Sequence, residues 1–247
     1  MKSKVFGFIA IFFLSCAIGC DGTVETDTSG DATEETNSYS TEALDINSEL
    51  VQKLYSYIDA ASIRDSLALS DYGENIYQST KTTVDSLPNK YKLYSVFEQL
   101  EPKTYTVQEI EKQLCKMYGE TASVIPESLY AYPNHEYNYK DGIYEFSSHQ
   151  GGGGDPLLDW NQLISAESDG TSIYLYTNYA CFSYDYDELT YNAYGSSDKK
   201  TSVASGMMEG AWGAPKDFDY TLAPTYKSTF AKASNGSYYW VSTEPVK

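Results

Sequence analysis

Tyr137-Asn138-Tyr139-Lys140-Asp141-Gly142-Ile143-Tyr144-Glu145-Phe146 is the stretch that decides the fold. Two runs of β-forming residues flank a two-residue Asp-Gly, among the strongest local signals for a tight hairpin. The same arrangement recurs twice. Asp169-Gly170 lies between Leu163-Ile164-Ser165-Ala166 and Ile173-Tyr174-Leu175-Tyr176, and Asn235-Gly236 lies between Thr229-Phe230-Ala231-Lys232 and Tyr238-Tyr239-Trp240-Val241. Three such turns predict an antiparallel meander of at least six strands. Alternate strand positions share a face, so Tyr137 and Tyr139 point the same way.

Upstream the period changes from two to about 3.6. Leu50, Val51, Leu54, Tyr55 and Ile58 form one helical stripe, with Asn47 or Ser48 as its N-cap. Residues 62–87 are polar and Ser/Thr-rich, with Ile63, Leu67 and Leu69 closing a short second helix. Pro88 opens a further helix over 89–100, carried by Leu93, Val96, Phe97 and Leu100, and Pro102 stops it. Thr106 and Glu109 make a capping box ahead of Ile110, Leu114, Met117 and Tyr118, and Gly119 ends that helix. Helices followed by strands predict an α+β domain, with N-terminal helices packed on a curved antiparallel sheet. This element order resembles the cystatin-like and NTF2-like cone-shaped folds.

The chain has 247 residues, 35 acidic against 17 basic side chains, and a formal charge of −18. With Arg64 as its only arginine it lacks the basic footprint that phosphate contacts require, so nucleic acid is excluded as a partner. Four cysteines in this length exclude a disulfide-dense scaffold. Residues 21–49 hold nine acids and no Lys or Arg, with Ser, Thr, Gly and Asn filling most other positions. Such a segment cannot bury a core, and it predicts a disordered acidic tether over 20–45. Beyond residue 49 the balance is 26 acids against 15 bases, and 24 of the 25 tyrosines lie there.

Lys2 and Lys4 precede an apolar run from Val5 to Ile18, too short to span a bilayer and suited to a signal-peptide core. The run ends at Ala17-Ile18-Gly19-Cys20, which resembles the lipobox of bacterial lipoproteins. That resemblance implies cleavage before Cys20, acylation of its thiol, and a mature chain tethered to the cell membrane and facing away from the cytoplasm. Two acyl chains anchor stably where one is marginal. The expected organisation is a signal peptide at 1–19, the tether at 20–45 and one α+β domain at 46–247. Val84-Asp85-Ser86-Leu87-Pro88, Tyr226-Lys227-Ser228-Thr229-Phe230 and the run Gly236 to Pro245 also resemble small secreted lipoproteins of low-GC Gram-positive gut bacteria. This likeness carries location and no chemistry.

Several residues stand out as candidates for chemistry. An exported compartment permits a disulfide between Cys115 and Cys181; two buried thiols acting as small hydrophobes are the alternative. No nucleophile signature surrounds either cysteine. His149 precedes Gln150, Gly151 to Gly154 and Asp155-Pro156, which lacks the Lys-Ser/Thr of a phosphate loop and reads as a strand connection. Two histidines fourteen residues apart do not make a zinc site, and no metal or cofactor is expected. Asp185 with Asp187, and Asp217 with Asp219, would each share a strand face, where paired carboxylates can serve a glycosidase or simply discourage edge pairing. Tyrosine is an interface residue, rigid with a polar tip, and also a good cover for a half-buried sheet. Residues 195–224, rich in Gly and Pro and containing Met207, Met208 and Trp212, read as a long functional loop. Tyr137, Tyr139, His149 and Trp212 are the candidate ligand contacts. The function expected is a binding or interaction module of the cell envelope, for glycan, peptide or protein. An envelope hydrolase using Asp/Glu carboxylates and a structural or inhibitory cystatin-like domain are the alternatives.

Overall fold

In the computed structural model the chain divides into two units, Met1–Ser38 and Tyr39–Lys247. The structure describes residues 40–59, 75–131, 135–148, 158–210 and 215–246, all in the second unit. Cys20, the expected helix around Ile63 to Leu69, His149 with its glycine run, and Trp212 lie outside the described residues.

The class is α+β, with antiparallel sheets and three α-helices among the described residues: α1 (Glu49–Ser56), α2 (Asn89–Glu98) and α3 (Val107–Tyr118). Their ends follow the capping chemistry of the sequence. Ser48 accepts from the Val51 amide to start α1. At α3 the Thr106 hydroxyl accepts from the Glu109 amide and the Glu109 carboxylate accepts from the Thr106 amide, closing the capping box. Gly119 follows with φ 89, a conformation that side chains resist.

A single meander was expected, and two sheets are found among the described residues. The larger contains β1 (Glu42–Leu44), β2 (Thr82–Thr83), β7 (Asp159–Ser168), β8 (Ser172–Asp185), β9 (Thr190–Tyr194), β10 (Ser202–Met207), β11 (Thr225–Lys232) and β12 (Tyr238–Pro245). Its main order is β1-β7-β8-β11-β12-β2, with β9 and then β10 branching from β8. The smaller sheet runs β3 (Tyr105–Thr106), β6 (Ile143–Ser148), β5 (His135–Lys140), β4 (Leu129–Ala131). The hairpin at Asp141-Gly142 therefore exists, but it builds the separate small sheet. Asp141 and Gly142 have φ 50 and 83, the paired left-handed geometry of a tight two-residue turn. The other two hairpins, β7–β8 and β11–β12, form at the expected turns.

Two further expectations are corrected. The tether does not run to residue 45, because Glu42, Ala43 and Leu44 pair with Ser168, Glu167 and Ala166 of β7. Residues 195–224 are not one long loop, because Ser202–Met207 forms β10 and pairs with β9. Small residues in β10 gave no alternating apolar pattern to find it by.

The long strand β8 organises the rest. It pairs with β11 over Ser172–Asn178 and then with β9 over Cys181–Asp185, so one strand serves two packing environments. The main core lies between the helices and the sheets, with Leu54, Tyr91, Leu93, Leu114, Leu175, Phe230 and Trp240 fully enclosed. Tyr118 of α3 meets Trp240 edge-on at 5.7 Å, and the indole N–H donates to Thr243 Oγ1 at 2.9 Å. A second core, Ala180, Phe182, Tyr191, Ala193, Met208, Phe218 and Ala223, sits at the β9 end of β8.

Candidate functional site

Among the described residues, those singled out in the sequence do not come together as one site. Tyr137 does not face a ligand. It is buried and stacks on Phe97 of α2 at 4.0 Å, while Tyr144 meets the same ring edge-on at 5.1 Å. Strand pairing sets Tyr137 beside Phe146 and Tyr139 beside Tyr144, so this whole face covers α2. Tyr139 is half-buried at its margin. Burial pushes the phenols of Tyr137 and Tyr144 up to about 12.

Cys115 and Cys181 are free thiols, which corrects the disulfide. Cys115 rides on α3, which packs on β12, whereas Cys181 lies on β8 with β11 intervening. The Cys181 thiol donates to the Ser196 carbonyl at 3.2 Å and is pushed up to about 12 by burial, with the Asp159 charge adding to the effect.

The acidic pairs are turn-formers. Asp185 ends β8, and its Oδ1 accepts from the amides of Asp187 and Glu188 at 3.1 Å each. Asp219 caps the short 3-10 helix Tyr220–Leu222 through the Thr221 amide, and Asp217 sits in a turn at φ 58. Neither pair lies along one strand face. Among the described residues no group of three or more His, Cys, Asp or Glu is placed to hold a metal ion.

Sequence reading missed a buried polar network around Asp159. This residue opens β7, and alternation places Asn161 on the same face. Asp159 Oδ1 accepts from the Tyr179 hydroxyl, which in turn accepts from Asn75 Nδ2 at 3.0 Å. Asn161 Nδ2 donates to the Tyr77 hydroxyl at 3.1 Å, and Tyr77 stacks on Tyr179 at 4.4 Å. Tyr77 also donates to the Ile58 carbonyl at 2.9 Å. Asp159 Oδ2 and Asn161 Oδ1 have no partner. Burial raises Asp159 to about 7, with the Tyr179 hydrogen bond and then Lys199 opposing. A carboxyl so enclosed, 2% exposed, has no access to a substrate and acts as a structural acid.

A groove of about 410 Å³ lies between the C-terminal end of α3 and the β11–β12 hairpin. Cys115, Lys116, Glu120, Lys232, Asn235 and Tyr239 are among its lining residues. Tyr239 presses against Gly119, where a Cβ would meet its ring at 2.8 Å.

The third feature is an open aromatic surface over the second core. Trp160 pairs with Ala180 and Tyr184 with Tyr191, so Trp160, Phe182, Tyr184 and Tyr191 share one sheet face. Phe218 packs edge-on against Phe182 at 5.1 Å and carries Tyr220 at 4.9 Å. Tyr220 lies 4.5 Å from Trp160, and Tyr186 lies 6.1 Å from Tyr184. Tyr186 and Tyr220 are 46% and 37% exposed. Phe182, Tyr184 and Tyr186 alternate in the sequence, so the stripe was visible there. Its junction with Trp160 and Tyr220 was not, because strand pairing and a distant turn create it.

Comparison with protein-family models, with curated proteins and with solved structures finds no match. The buried network holds the fold, the groove presents charges of both signs beside one ring, and the aromatic surface offers several rings on one open face.

Proposed function

We propose that the chain is a lipid-anchored binding module of the cell envelope. The observation that carries this reading is the aromatic surface over a core of its own, in which Tyr186 and Tyr220 are exposed beside half-buried Trp160 and Tyr184. Exposed rings held by packed neighbours give contact area at low entropic cost, which suits recognition. The Ala17-Ile18-Gly19-Cys20 lipobox supports acylation of Cys20, with the bilayer as partner and the domain outside the cytoplasm. The acids of residues 21–49 support a segment that stands off anionic headgroups. Helices lying on the large sheet support a cone-shaped arrangement of cystatin-like or NTF2-like kind for that part, with the small sheet added to it.

Two experiments test this. Cys20→Ala is expected to move the protein from the membrane fraction to the medium or periplasm, and continued membrane retention refutes the anchor. The full chain displayed against arrays of glycans, peptides and envelope proteins is expected to bind at least one class. Silence across all three, with an intact urea transition, refutes the binding module.

A further inference from the structure

We propose that Trp160, Tyr184, Tyr186 and Tyr220 form a platform for a neutral saccharide chain, which they hold by stacking on its sugar rings. This rests on the binding-module reading and narrows its ligand to one class.

Three observations carry it. The first is the use of aromatic residues elsewhere. Among the described residues eleven tyrosines are buried, with Tyr77, Tyr179 and Tyr226 in one ring cluster and Tyr105, Tyr137 and Tyr144 around Phe97. Against that background Tyr186 and Tyr220 stay open, and Leu222, two residues after Tyr220, is 49% exposed. Contiguous exposed apolar rings rimmed by polar groups mark interaction surfaces.

The second observation is preorganisation. Asp219 Oδ1 accepts from the Thr221 amide at 3.0 Å and from its hydroxyl at 2.6 Å, which sets the turn presenting Tyr220. Asp185 Oδ1 closes the turn that carries Tyr186. Trp160 and Tyr184 stand on paired strands, a more rigid mounting than a loop. Rings fixed in advance lose little entropy when a ligand stacks on them.

The third observation is charge. Asp185, Asp187, Glu188, Asp217 and Asp219, all exposed, flank Tyr186 and Tyr220 along the chain, against Lys216. This field repels polyanions such as uronate or phosphate polymers. Carboxylates accept hydrogen bonds from hydroxyl groups, so the rim matches a polymer rich in hydroxyls and free of charge. The apolar C–H faces of sugar rings then meet the aromatic faces. A peptide added as a strand would need a sheet edge for its backbone, whereas Trp160 and Tyr184 stand on a sheet face, with Tyr186 and Tyr220 in turns beside it.

The test is affinity electrophoresis of the full chain through gels containing neutral polysaccharides: a β-glucan, a xylan, a galactomannan and an α-glucan, with polygalacturonate as the anionic control. Retardation by at least one neutral polymer and none by polygalacturonate is expected. Trp160→Ala with Tyr220→Ala should weaken the effect at least tenfold. Lys116→Ala with Lys232→Ala, in the groove beside α3, should leave it unchanged. Because Trp160 borders the second core, Tyr186→Ala is run in parallel as a milder variant, with at least a threefold loss expected. Retardation by none of the neutral polymers overturns the proposal, and so does retardation that survives all the ring substitutions in folded proteins. If the array instead returns a peptide or protein ligand, the saccharide platform falls while the binding module stands. If it returns nothing, both fall.

Discussion

Asp159→Asn should make the protein more stable at pH 8 while changing little at pH 4. The wild-type carboxyl is raised from 3.8 to about 7, chiefly by burial, against the opposing Tyr179 hydrogen bond and Lys199. A folded value above the unfolded one means that the folded state holds the proton more tightly. Its contribution is fully present below about pH 4 and is lost as pH rises through about 7. A rise from 3.8 to about 7 corresponds to roughly 4 kcal/mol at most, at about 1.4 kcal/mol for each tenfold change in proton affinity. Relaxation around the ionised group would reduce this to about 2–4 kcal/mol. Asparagine keeps an oxygen for the Tyr179 hydroxyl and places an N–H₂ where Asp159 Oδ2 has no partner. It cannot ionise, so the loss above pH 7 disappears. At about 2–4 °C per kcal/mol for a domain of this size, Tm at pH 8 should rise by roughly 5–15 °C. Urea melts at pH 4, 6 and 8 on both proteins provide the measurement. Other titrating groups, such as Glu98, raised to about 7 by burial, are common to both and cancel in the difference. An equal loss of stability in the variant at pH 4 and pH 8 would refute the argument. It would mean that Asp159 is ionised throughout and stabilised by its surroundings.

Three further outcomes are expected. Gly119→Ala combines φ 89 with a Cβ placed 2.8 Å from the Tyr239 ring, and should cost roughly 2–3 kcal/mol in a urea melt. Thr106→Ala removes the α3 capping box and should cost about 1 kcal/mol, with Thr106→Ser recovering most of it. In a Cys16→Ser/Cys20→Ser chain, denaturation without reductant should expose two titratable thiols. In the native state Cys115 should react first, because Cys181 is buried with its thiol pushed up to about 12. A count of zero after denaturation would restore the disulfide.

The parts of the fold that were legible in the sequence are those set by neighbours along the chain. Asp141-Gly142 fixes its turn through two left-handed residues, and Thr106 with Glu109 closes a capping box within one helical turn. Both signals act over fewer than five residues, and both elements form where expected. The elements that escaped are too short to carry a period. β2 and β3 have two residues each, and only partners far away in sequence make them strands. The same holds for β1, whose acidic, Thr-rich surroundings read as tether until β7 supplies its hydrogen bonds.

The site shows the same division more sharply, because a tyrosine's role depends on what covers it. Tyr137 and Tyr184 both stand on strands with a tyrosine two residues further on. Phe97, forty residues before Tyr137, arrives on α2 and buries it. Beside Tyr184 the covering chain is the turn at Phe218 and Tyr220, which is short and capped by Asp219. It reaches Phe182 and Tyr191 but leaves Tyr186 open. The difference between a core ring and a surface ring therefore lies in the length and capping of a distant segment. Asp219→Ala should loosen the turn that carries Tyr220, with a global stability loss of about 1 kcal/mol or less. Any saccharide retardation should weaken in the same variant, since Tyr220 would lose its fixed orientation. Unchanged retardation together with an unchanged melt would show that the cap does not position the ring.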